Sequence, residues 1–290
     1  MQRKNFLKLG ITGIIGASSL KLAKANANES ELKKNHLIEK NIGFNHLPNK
    51  EIKTMKSVLH QANTRGGANH GWLNTRHTFS FANYYNPERM HFGVLRVLND
   101  DIIAPGTGFG THPHDNMEII SIPLEGALEH KDSMGNSQII KDDEIQVMSA
   151  GTGIKHSEYN ASKMTQAKFL QIWVFPNKRN VSPRYDQIKI DKNKMKDNFY
   201  QILSPSADDE GVWIHQNAWF HLAELNPNKE LHYELKDKSN GLYTFVLEGQ
   251  VKAGNQNLAD RDGYGVWETP SLDFVAKTKT RILLMEVPMV

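Results

Sequence analysis

The chain has 290 residues, and its 39% hydrophobic and 23% charged fractions are typical of a globular protein rather than a disordered or fibrous one. It contains no cysteine, which excludes disulfides, thiolate metal ligands and cysteine nucleophiles. The formal charge of +3 includes five basic residues in residues 1–27, and their removal leaves −2. We therefore expect no nucleic-acid partner, because the basic footprint of such proteins is missing.

Residues 1–27 have the pattern of an export signal. A basic start leads into an apolar stretch at residues 6–20, and two Ala-x-Ala sequences end at Ala25 and Ala27. Residues 3–8 resemble the twin-arginine export motif, with Lys4 in place of the second arginine. The sequence predicts export to the periplasm by the twin-arginine or general secretory route, without a membrane anchor after cleavage; an amphipathic helix is the alternative.

Residues 28–54 are polar and charged with little periodicity, which predicts a linker. From residue 55 onward, short apolar runs rich in Ile, Val, Leu and aromatic residues are bounded by turn residues, a pattern typical of antiparallel β-structure. The clearest runs are at residues 91–100, 117–126, 169–176, 241–249 and 281–288. Two of them end in Leu-Glu-Gly, which favours two copies of one β-barrel.

The first histidine motif lies at residues 110–118. Side chains two apart on a strand point to the same face, so His112 and His114 project together. Pro113 between them favours a strand at the rim of a barrel. Alone, such a pair can equally be two surface histidines.

The second motif lies at residues 151–160, where the same spacing puts His156 and Glu158 on one face. Alone, these two residues can be a hydrogen-bonded pair in a turn. Three imidazoles and one carboxylate together suit one divalent transition metal, either Fe(II), Mn, Ni, Cu or Zn, and disfavour Ca and Mg. Open coordination positions are then available for a substrate and for dioxygen.

Several long segments from about residue 58 to the end of the chain resemble the pirin family of the bacterial type. The segments are residues 65–73, 77–85, 108–114, 149–160, 171–176 and 183–185. The resemblance implies an all-β bicupin with two tandem cupin barrels and a single metal in the first. The implied domains are a metal-binding cupin at 55–185 and a cupin without a metal at 186–290.

The resemblance also implies a ligand set of His112, His114, His156 and Glu158. Most single-barrel cupins take their carboxylate ligand from the first motif, which here is Glu118. Pirins use the later glutamate, so we interpret Glu118 as a residue of the wall of the site.

The activity implied by the resemblance is that of a quercetin 2,3-dioxygenase, an oxidoreductase that cleaves the central ring of a flavonol with O2 and releases carbon monoxide. Iron(II) is the metal we expect, a small aromatic substrate and O2 are the expected partners, and Glu158 is the candidate base. Candidates for the pocket are Phe81, Tyr84, Phe92 and Phe109, although aromatic residues at such positions more often belong to the barrel core. The alternative is a non-catalytic pirin that senses redox state or binds a protein partner. We expect a monomer.

Overall fold

The computed structural model describes residues 55–289, and regular structure in this part of the chain is almost entirely β, with one short 3-10 helix at Ala62–Thr64. The strands of the first half are β1 (Lys56–His60), β2 (Gly66–Asn69), β3 (Leu73–His77), β4 (Leu95–Ile103), β5 (Gly108–His114), β6 (Glu118–Glu125), β7 (Ala127–Asp132), β8 (Ser137–Lys141), β9 (Glu144–Ser149), β10 (Ile154–Asn160), β11 (Ala167–Val174) and β12 (Arg184–Lys189).

The second half continues the pattern of short strands separated by turns. Its strands are β13 (Tyr200–Ser204), β14 (Val212–Trp213), β15 (Trp219–Leu225), β16 (Glu230–Glu234), β17 (Asn240–Glu248), β18 (Val251–Ala253), β19 (Gln256–Leu258), β20 (Gly263–Trp267), β21 (Ser271–Ala276) and β22 (Thr280–Pro288). No helix in residues 55–289 is long and apolar enough to cross a membrane.

The strands form two barrels, each made of a seven-stranded and a four-stranded sheet. In the first barrel the order β12-β9-β6-β11-β4-β3-β2 is joined by β5-β10-β7-β8. In the second, β1-β20-β17-β22-β15-β13-β14 is joined by β16-β21-β18-β19. Side chains of both sheets share one buried cluster in each barrel, for example Phe169 with Leu128, and Val246 with Phe274. The prediction of an all-β protein with two tandem barrels is confirmed.

Two strand pairings cross the predicted domain limits. β1 pairs antiparallel with β20, from Lys56 opposite Trp267 to His60 opposite Gly263, so the first described strand completes the sheet of the second barrel. β12 pairs with β9 in the first barrel, and the predicted boundary at residue 185 falls inside it. The predicted signal at 1–27 and the predicted linker at 28–54 lie outside the described residues.

The largest apolar cluster joins the two barrels. On β6, Ile120 and Ile122 point to this side and are fully buried, and they share the cluster with Phe220 and Phe245 of the second barrel. Strand alternation sends Ser121, between them, to the opposite face, into the first barrel. The interior of the first barrel and the interface between the barrels are thus separated by one sheet.

Candidate metal centre

β5 and β10 lie side by side and bring the three predicted histidine ligands together. The antiparallel register places His156 opposite His112 and Ile154 opposite His114. The ring centroids are 4.5 Å apart for His112 and His156, 4.8 Å for His112 and His114, and 5.0 Å for His114 and His156. One ring nitrogen from each histidine lies within 4.8 Å of the others.

The protonation state of these histidines suits a metal. His156 is only 1% exposed, and neither of its ring nitrogens has a hydrogen-bond partner within the described residues. Burial and, to a smaller extent, the charges of neighbouring histidines lower the pKa of His156 to about 3 and that of His114 to about 4. Neutral imidazoles with free lone pairs are the form that binds divalent metals, so the residues fit a metal ion.

His112 is oriented by the backbone of its own strand. Its Nδ1 lies 2.8 Å from the carbonyl oxygen of Gly110, and because a carbonyl only accepts, Nδ1 carries the proton. This contact leaves Nε2 as the nitrogen that can face a metal, which is the arrangement that typically fixes a histidine ligand.

Glu158 is fully buried on β10, two residues after His156, and the opposite strand β5 has one extra residue at this point, since Glu158 lies opposite Phe109 and His156 opposite His112. Its carboxylate accepts hydrogen bonds from the Ser121 hydroxyl at 2.8 Å and from the Gln171 amide at 3.0 Å. Its negative charge raises the pKa of His114, against the larger effect of burial. The carboxylate is not among the three groups that converge, so its role as the fourth ligand stays a prediction.

Glu118 occupies the other face of the sheet. It shares the face of Ile120, on the side of the second barrel, whereas Ser121 and its partner Glu158 lie on the inner side. The Ser149 hydroxyl donates to Glu118 at 2.6 Å, and burial raises the pKa of Glu118 to about 7. The structure thus places Glu118 away from the histidines.

Two adjoining cavities open beside the histidines. The smaller, about 350 Å³, is lined in part by His112 and His114, and the larger, about 500 Å³, lies next to it. Both share four lining residues: Trp72, Phe81, Phe109 and Gln171. A mostly apolar cavity with a few polar groups is the usual form of a small-molecule site.

The predicted aromatic residues divide between the cavity and the core. Phe81, Tyr84 and Phe109 line the larger cavity, as expected. Phe92 does not, because it packs against Tyr243 in the apolar cluster between the barrels, with ring centroids 5.3 Å apart. Sequence reasoning missed Trp72, which contacts Phe109, and Trp173, which contacts His114. The spacing of two between Gln171 and Trp173 was the available signal for the latter.

In the second barrel, His232 and Glu286 form hydrogen bonds with neighbouring side chains. His232 is exposed on β16 and forms a hydrogen bond with Asp273 at 2.6 Å. Glu286 is buried, and the Tyr233 hydroxyl and the Asn240 amide each donate to it at 2.9 Å. These contacts satisfy the carboxylate within the fold.

Two β-barrels, with three histidines converging in the first, define a cupin-type protein with a candidate mononuclear metal site. The chain belongs to the pirin family: the family's sequence profile, described as Pirin, matches residues 57–174, and a profile described as the quercetinase C-terminal cupin domain matches residues 201–287.

Relatives and solved structures agree with this assignment. The chain is 42% identical over 231 residues to a quercetin 2,3-dioxygenase of Escherichia coli K12, which covers 79% of this chain and 98% of the relative. A crystal structure of the bacterial pirin YhhW from Escherichia coli in complex with nickel(II) superimposes with a TM-score of 0.77 at 39% identity, over 81% of this chain and all of that one. A quercetin 2,3-dioxygenase from Acinetobacter baumannii, 19% identical over 81% of this chain and 79% of that one, shares the fold with a TM-score of 0.64.

Proposed function

We propose that this protein is a metal-dependent dioxygenase that cleaves flavonols such as quercetin with O2. The observation that carries the proposal is the convergence of three histidines beside an aromatic-lined cavity. The activity named for the Escherichia coli relative supports the same reaction class.

His112, His114 and His156 would hold the metal, and we propose Glu158 as the fourth ligand. The metal, when bound, supplies Lewis acidity toward a substrate oxygen and the ability to react with dioxygen. Iron(II) is the metal we expect, while the related pirin structure was solved with nickel(II). Elemental analysis of protein purified from its native compartment identifies the metal.

The chain's own residues would position the substrate and move its proton. Trp72, Phe81 and Phe109 offer apolar surfaces to flat rings and exclude water from the cavity. The Glu158 carboxylate can accept the proton of the substrate hydroxyl, since it is held in place by Ser121 and Gln171 on the inner face of the barrel.

Oxygen uptake and carbon monoxide release with quercetin test the proposal. We expect both with metal-loaded protein and neither with His156→Ala. A fully metallated sample without turnover would contradict the dioxygenase proposal and favour a sensing or protein-binding role.

We also propose that the protein is exported. The support is the basic start, the apolar stretch at residues 6–20 and the Ala-x-Ala endings. Cell fractionation with N-terminal sequencing should find a mature chain that begins at Asn26 or Asn28 outside the cytoplasm. Cytosolic protein with an intact Met1 would contradict export and leave the metal site unaffected.

A further inference from the structure

The larger cavity has a polar floor, of which the proposed reaction uses only Gln171. The floor comes from neighbouring positions on three strands, where His77 of β3 is opposite Asn99 of β4, which is opposite Gln171 of β11. Two residues further along, Thr75 is opposite Asp101. All five residues line the cavity, and none belongs to the predicted metal ligands.

One carboxylate oxygen of Asp101 is the atom on this floor that lacks a partner. Asp101 is 2% exposed, and its Oδ1 has no hydrogen-bond donor within the described residues. β4 is held by β3 on one side and β11 on the other, so the backbone fixes the position of this carboxyl. Leaving a buried acceptor without a donor costs about 1–3 kcal/mol, and more for a charged group.

The pKa of Asp101 agrees with a buried carboxyl that has too few hydrogen-bond donors. Burial, with smaller effects from the charges of Asp100 and Glu158, raises the pKa of Asp101 to about 7, while a hydrogen bond from Thr75 acts in the opposite direction. The carboxyl is therefore short of donors in the folded chain, and a donor supplied from the cavity would relieve it.

His77 adds a second acceptor to the same floor. Its Nδ1 lies 2.9 Å from the Asn99 Oδ1, and since an amide oxygen only accepts, Nδ1 is the donor. Burial lowers the pKa of His77, so the ring is neutral and its Nε2 retains a lone pair. The ring packs against Phe81 and Tyr84, which orient it beside the aromatic wall.

We propose that Asp101, assisted by His77, binds an aromatic hydroxyl of the substrate at a subsite separate from the metal. The choice of a hydroxylated flavonol as the ligand rests on the proposed function. Trp72, Phe81 and Phe109 line both cavities, so one flat molecule can lie between the histidines and this floor. The subsite makes the protein selective for substrates with hydroxyl groups remote from the metal-binding oxygen.

The test uses two ligands that lack the reacting hydroxyl of quercetin. Luteolin keeps the other hydroxyl groups of quercetin, and unsubstituted flavone has none. Metal-loaded wild-type protein and Asp101→Leu are titrated with each ligand by calorimetry or fluorescence quenching. We expect the wild type to prefer luteolin, and Asp101→Leu to lose about tenfold of that preference, the usual effect of one hydrogen bond to a charged group.

A thermal melt separates binding from structural support. Asp101→Leu replaces a buried carboxyl that has one oxygen without a donor by an apolar group of similar size, so we expect its melting temperature to hold or rise despite the loss of the hydrogen bond from Thr75. The matched control is Asp100→Asn, the neighbouring residue, whose carboxylate pairs with Arg65 on the opposite face of β4. It should lower the melting temperature and leave the preference for luteolin unchanged.

The outcomes distinguish this inference from the proposed function. Equal affinity of the wild type for both ligands, binding of neither, or an unchanged preference in Asp101→Leu and Asp101→Ala would overturn the subsite. Selective binding without turnover of quercetin would leave the subsite standing and remove the dioxygenase proposal. Turnover of quercetin without a preference for luteolin would leave the dioxygenase proposal standing and remove the subsite.

Discussion

At the scale of single residues, the lone pairs of three histidines determine whether the first barrel binds a metal. His156→Ala should abolish stoichiometric metal binding, because it removes a buried neutral ligand from the group of three. Metal content per chain, measured by elemental analysis, checks the prediction, and His112→Ala and His114→Ala should behave in the same way.

A histidine of the second barrel provides the control for these variants. His232→Ala also removes an imidazole from a strand, but this imidazole is exposed and bonded to Asp273. It should retain full metal content. Full occupancy in His156→Ala would refute the assignment of the centre.

The two glutamates should respond differently to neutral replacement. Glu158→Gln should strongly reduce metal affinity or activity, because it removes the charge on the inner side of the sheet, where Ser121 and Gln171 donate to the carboxylate. Glu118→Gln should have little effect, since Glu118 faces the second barrel and its pKa of about 7 makes it partly neutral already. Metal titrations of both variants make the comparison, and equal or reversed effects would mean that the usual cupin ligand pattern applies.

At the scale of strands, the sequence was sufficient to predict which side chains share a face. The spacing of two predicted that His112 and His114 project from the same face of their strand. Pro113, between them, predicted a strand at the edge of a sheet. The position of Glu158 relative to His112 was less predictable, because β5 has one extra residue between Phe109 and His112, and the spacing within β10 does not show this. The sequence could not identify Asp101 as a candidate site residue either, since its place on the cavity floor depends on which strands flank β4.

The pairing of β1 with β20 could not be predicted from the sequence either, because periodicity shows which face of a strand is buried and not which strand it pairs with.

We predict that a chain beginning at Ser30 folds and binds metal as well as the full chain, since it lacks only the proposed signal and the two residues that follow it. A chain beginning at Gln61 should melt several degrees lower, because it loses β1 and the 2.8 Å hydrogen bond between His60 and Tyr243. At this chain length about 1 kcal/mol corresponds to 2–4 °C.

Thermal melts and metal content of the two truncated chains measure this difference. Loss of metal or stability in the chain that begins at Ser30 would show that residues 1–29 support the fold. An unchanged melt in the shorter chain would mean that β1 contributes little to the second barrel.

At the scale of the whole molecule, buried histidines make stability depend on pH. Burial, with a smaller effect of Lys236, lowers the pKa of His221 to about 3, so between about pH 6.5 and 3 only the unfolded chain binds this proton. The stabilisation is complete above pH 6.5 and is lost as the pH falls through this window. From pH 7 to 5, this one site should cost about 2 kcal/mol.

Urea unfolding of wild type and His221→Gln at both pH values isolates the effect. The variant should lose about 2 kcal/mol less than the wild type. The comparison requires both proteins, because Asp101 and Glu118 have raised pKa values and shift stability in the opposite direction. An identical loss in both proteins would show that His221 titrates normally in the fold.

Because β1 pairs with β20 of the second barrel, it must wait during synthesis for strands that are made much later. His60 meets Tyr243, which is synthesised 183 residues later, so at cellular translation rates β1 waits for about ten seconds or more. By contrast, the histidines of the centre and the strands that carry them are complete by Asn160. The three candidate metal ligands can therefore come together in a nascent chain while its first strand is still unpaired.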